Sequence, residues 1–76
     1  MRRDVLRAPA SAEVERVGAG VRELLRGRLS DFRLELCGQG VVLHGKARSY
    51  HAKQLAQHAV MRGTDLPIVR NGIEVT

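Results

Sequence analysis

The sequence predicts an α+β fold: a two-layer αββαβ sandwich, two helices packed on one face of a three-stranded mixed β-sheet. Three observations predict it. Apolar residues recur at helical spacing from Val14 to Leu25 and again, with small alanines, from Ala52 to Val60. Apolar and polar residues alternate from Phe32 to Cys37 and from Val41 to Arg48, and a third β-rich run covers 68–75. The second face of these strands is largely polar, so both helices must cover the first.

The 76 residues suffice for one domain, assigned to 11–76 behind a flexible basic tail at 1–10 that holds Arg2, Arg3, Arg7 and Pro9. Ser11 is a suitable N-cap, with Glu13 and Glu15 in the first turn that follows. Val14, Val17, Val21, Leu24 and Leu25 give helix 1 its apolar stripe over about 11–28. Gly18 and Gly20 each cost roughly 1 kcal/mol in a helix interior, so they mark a close approach or an irregularity.

The next two strands form a hairpin whose register follows from their alternation. Core-facing residues must oppose core-facing residues. Pairing Leu36 with Val41 satisfies this and leaves Gly38-Gln39 as a two-residue loop. A three-residue loop would turn one strand's core face outward. Gly38 then suits the first central position of a type II′ turn. The same register sets Leu34 against Leu43 and Phe32 against Gly45, so that a ring covers the bare glycine. On the other face Asp31 lies opposite Lys46, and Arg33 opposite His44. Phe32, Gly38 and Gly45 are thus structural residues, and Gly45→Val is expected to be severely destabilising.

Ser49 caps helix 2, about 50–62, with Ala52, Leu55, Ala56, Ala59 and Val60 as its stripe and Gly63 as its C′ stop. Leu66-Pro67 leads into strand 3, in which Val69, Ile73 and Val75 face inward. Asn71-Gly72 also suits a bulge or a tiny hairpin. A right-handed crossover through helix 2 makes strand 3 parallel to strand 2.

The net charge is +5 and the pI near 10.7, a balance that favours anionic partners: nucleic acid, acidic lipid headgroups or an acidic protein. The single cysteine, Cys37, allows no intrachain disulfide and implies no oxidising compartment. Met1-Arg2-Arg3 is not followed by the apolar run of a signal peptide, and no stretch has the roughly 20 apolar residues of a membrane span. The chain as given is expected to be cytoplasmic and soluble. As a domain of a longer exported protein it would be periplasmic or in the envelope.

The outer sheet face is expected to carry Arg33, His44, Lys46, Arg48 and Arg70 beside Glu35 and Glu74. These five are the candidate binding residues for an anion; an ordinary solvated face with cross-strand charge pairs would look the same. Val42 and Ile68 share that face and would form a self-association contact if exposed together. His51 and His58 are seven apart on helix 2, not the i, i+4 of a helical metal pair, so neither a metal nor a cofactor is expected. Cys37 lies near the turn, far in register from His44. No base, nucleophile and orienting group come together, and no enzyme is expected. Arg22 and Arg26 stand on the wet side of helix 1. For single-stranded nucleic acid the aromatic platform is missing, since Phe32 is buried and Tyr50 opens helix 2. Gly18-Ala19-Gly20 and Gly38-Gln39-Gly40 also lack the spacing of a GxxG loop.

Val41-Val42-Leu43-His44-Gly45-Lys46-Ala47, then Ser49, Lys53 and Ala56, then Leu66, Val69, Asn71, Ile73 and Val75, form a pattern over about 12–76. In this pattern the chain resembles the BON domain, a small bacterial module first noted in an osmotically induced periplasmic protein and a nodulation protein. The resemblance implies the αββαβ fold and a non-enzymatic binding module that contacts phospholipid membranes or envelope partners. The functional expectation is therefore an adaptor for an anionic partner, either phospholipid headgroups or an acidic protein surface. A charge-driven nucleic-acid binder and a self-associating structural module, a homo-oligomer, are the alternatives.

Overall fold

Ala10–Leu24 forms helix α1, Leu29–Cys37 strand β1, Gly40–Ala47 strand β2, Tyr50–Gly63 helix α2 and Ile68–Val75 strand β3. The structure is a computed structural model and describes residues 10–76. The expected tail, 1–10, lies outside the described residues except for Ala10, which begins α1. The sheet order is β1-β2-β3, with β1 antiparallel and β3 parallel to the central strand. The fold is the α+β arrangement that the sequence predicts.

The core lies between the helices and one sheet face. Val41, Leu43 and Ala47 of β2, Ile73 of β3 and Phe32 of β1 meet Val14, Val17, Val21 and Leu25 from the first helical segment and Ala52, Ala56 and Val60 from α2. Small residues on α2 bring its axis close to the sheet.

The hairpin has the expected downstream register, with Leu36 opposite Val41 and Leu34 opposite Leu43, and Gly38 at φ 62° opens its two-residue turn. Upstream the ladder departs from expectation. Ser30, not Asp31, pairs with Lys46, while Arg33 pairs with His44, so Asp31 and Phe32 together oppose Gly45. This is a β-bulge, with Asp31 at φ 55°. Phe32 does pack over Gly45, but the nearest atoms are main chain of the bulge. A Cβ built there would lie 3.0 Å from Phe32 Cα and 3.1 Å from the Ser30 carbonyl oxygen.

Helix α1 ends at Leu24 and not near 28, because the chain turns through Gly27 at φ 89°. Ser11 lies inside the helix and does not cap it. Leu24, expected in the core, is 68% exposed. Arg22 is not a free wet-side residue: its Nη1 donates to the Phe32 carbonyl at 3.1 Å and ties α1 to the bulge.

Ser49 caps α2, its Oγ accepting from the Ala52 N–H at 3.1 Å. Gly63 is the last residue of α2, with Thr64 as the extended cap, so it is not a left-handed stop. Its lack of a side chain serves helix contact instead. A Cβ there would sit 3.0 Å from Val17 Cγ1.

In β3 a second register shift separates the pairs Val41–Ile68 and Val42–Arg70, leaving Val69 as the extra residue. Two expectations reverse as a result. Ile68 packs against the core and leaves the outer face, whereas Val69 is 60% exposed. Val75 pairs with Ala47 as an inward residue should, yet lies at the open end of the sheet and is 45% exposed. Asn71 and Gly72 form neither bulge nor hairpin and continue the ladder against Leu43 and His44.

Candidate functional site

The open sheet face is built from residues that alternate with the core positions, and strand register sets their spacing. Across the three strands it reads Glu35, Val42, Arg70; then Arg33, His44, Gly72; then Ser30, Lys46, Glu74. Gly45 and Gly72 bare the backbone at the centre. There a shallow depression of about 510 Å³ is bordered by Asp31, Arg33, His44, Lys46 and Glu74.

The structure thus brings Arg33, His44, Lys46 and Arg70 onto one surface. Arg48 stands apart, in the bend after β2, with its N–H donating to the Arg28 carbonyl at 3.1 Å. Asp31, expected on this face opposite Lys46, borders the depression from within the bulge, while Ser30 takes the place opposite Lys46. The fixed charges are therefore Arg33, Lys46 and Arg70 against Asp31, Glu35 and Glu74, a balanced pattern and not the positive excess that the sequence suggests. Glu35 is committed to His44, Oε1 to Nε2 at 2.7 Å, across the exposed surface. Among the described residues Arg33, Lys46, Arg48 and Arg70 make no ion pair. The expected Val42–Ile68 apolar contact does not form on this face, since Ile68 points to the core side.

Cys37 is exposed at the end of β1, and His51 and His58 are exposed on α2. Among the described residues no three His, Cys, Asp or Glu side chains gather as a metal site, and no helix is long and apolar enough to cross a membrane.

Sequence reasoning missed the opposite surface. Leu24, assigned to the core but exposed, and Leu55 and Ala59, which pack against the core as expected, line a depression of about 640 Å³ between the end of α1 and α2. No local pattern marked this, since an apolar helix stripe at i, i+3, i+4 and i+7 includes adjacent residues, and yet Leu24 is exposed beside buried Leu25.

Compared with family models, curated proteins and solved structures, the chain matches none of them.

Proposed function

We propose that this chain is a non-enzymatic adaptor that receives an acidic protein partner on its open sheet face. One observation carries the reading: Arg33, Lys46 and Arg70 stand exposed on one flat surface without ion pairs among the described residues. The BON-like order of elements and residues supports a small binding module. Between the two anionic partners, the charge pattern favours protein. A headgroup layer presents negative charge everywhere and would meet Asp31 and Glu74 as well as the bases. A protein can set acids opposite Arg33, Lys46 and Arg70 and a base opposite Glu74, which yields specificity as well as attraction.

The test is a two-dimensional amide NMR titration of the ¹⁵N-labelled chain at about 50 mM salt, where exposed charges are weakly screened. The probes are an oligoglutamate peptide and, separately, anionic phospholipid bicelles. Shifts at Arg33, His44, Lys46 and Arg70 with the peptide, lost in the Arg33→Glu, Lys46→Glu double variant, are the expected result. The same shifts with bicelles alone would replace the protein partner with a lipid surface. A sheet face that responds to neither probe would remove it as the binding surface.

A further inference from the structure

The helix side of the molecule offers a surface of different chemistry. Leu25, Leu55 and Ala59 form the floor of the depression between the end of α1 and α2. Leu24 and Ala59 also line a second depression of about 260 Å³ that runs over Gly20 and Val21 to Gly63. The two adjoin at Leu24 and Ala59 and together form an apolar trough along the helix pair. Its depth has a sequence cause: glycine and alanine occupy the positions where α1 and α2 approach each other, so little side chain fills the space between them.

The rim is basic. Arg26, Arg28, Arg62 and His58 border the larger depression, Arg16 borders the smaller, and among the described residues no acidic side chain borders either. Arg26 is partly neutralised by Glu23, Nη2 to Oε1 at 2.7 Å. Arg16, Arg28 and Arg62 make no ion pair among the described residues. This differs from the sheet face, where acids and bases balance.

We propose that this trough docks the amphipathic helix of an acidic partner protein, its apolar residues on Leu25, Leu55 and Ala59 and its carboxylates against Arg28 and Arg62. Charge excludes two nearer occupants. The N-terminal nine residues hold three arginines and one acid, and a second copy brings a net charge of +5. Both carry the sign of the rim. Shape separates a helix from a lipid surface. The depression is a cleft between the end of α1 and α2, which a helix ridge with anchors at i, i+3, i+4 and i+7 enters more readily than a planar headgroup layer. Leu24, protruding and 68% exposed at the junction of the two depressions, offers such a ridge an apolar contact beside the rim.

The experiment uses the full chain and a synthetic peptide of about 15 residues, with leucines at the helix-in-groove spacing and glutamates on the flanks. A scrambled peptide of the same composition holds charge constant and destroys the apolar face. Binding is read by fluorescence anisotropy and located by amide NMR. The amphipathic peptide is expected to bind about tenfold tighter than its scramble and to shift Leu24, Leu25, Leu55 and Ala59. Leu24→Asp with Arg62→Glu alters exposed side chains, so the melting temperature should hold while affinity falls about tenfold. Equal binding of the two peptides, or shifts confined to Arg33, Lys46 and Arg70, would overturn the proposal and leave the sheet-face reading intact. Anionic bicelles that shift the trough residues where the peptide does not would overturn it in favour of lipid.

Discussion

Gly45 is held by two constraints at once. Its φ of 145° is a conformation that L side chains rarely adopt, and the bulge backbone passes within 3.0–3.1 Å of where a Cβ would stand. Gly45→Val adds both strain and overlap with main chain that cannot swing aside. The expected loss is about 3 kcal/mol or more in urea denaturation, a large part of what so small a domain has. A variant with an unchanged unfolding midpoint would contradict the bulge geometry. The sequence located this glycine and its neighbour Phe32, but not that Phe32 approaches it through the main chain of a bulge. A bulge adds one residue without changing composition. Because the alternation of Phe32, Leu34 and Leu36 continues undisturbed past it, the shift shows only upstream, where Ser30 takes the place expected of Asp31.

At the scale of elements, the two helices are joined at their ends by Thr64. Its hydroxyl donates to the Glu13 carboxylate in the first turn of α1, and the same oxygen accepts from the Leu66 N–H at 3.2 Å. Thr64 is buried, with 7% exposure. Thr64→Val keeps the shape and removes the hydroxyl that accepts from the part-buried Leu66 N–H and donates to the part-buried Glu13 carboxylate. Stability should fall by about 1–2 kcal/mol in chemical denaturation. A cost near zero would show that water substitutes for the hydroxyl. No local pattern marks Thr64, because its partner Glu13 is 51 residues away. Gly63 shows the same limit. A glycine after a helical stripe reads as a stop signal, yet here its value is the contact with Val17, which no spacing along the chain reveals.

For the whole molecule, two surfaces of different character emerge from one sheet and two helices. The sheet face carries exposed charges that support nothing beneath them. Arg33→Glu with Lys46→Glu should therefore leave the melting temperature within about 2 °C of the parent, in line with the small worth of exposed charges. A larger drop would assign these residues to folding, and any loss of binding in the variant would then say nothing about a partner. The sequence by itself determined the element order, the hairpin register beyond the bulge, the capping of α2 by Ser49 and the grouping of Arg33, His44, Lys46 and Arg70. All of these follow from short-range periodicity, which a side chain's alternation or helical spacing records directly. Only the tertiary structure decided the rest. The bulge in β3 exchanged Ile68 with Val69, the bulge in β1 set Ser30 opposite Lys46 where Asp31 was expected, and Leu24 closed α1 with its side chain outside the core. A trough opened where two helices crossed on small residues, because each outcome depends on how separately folded segments fit against one another.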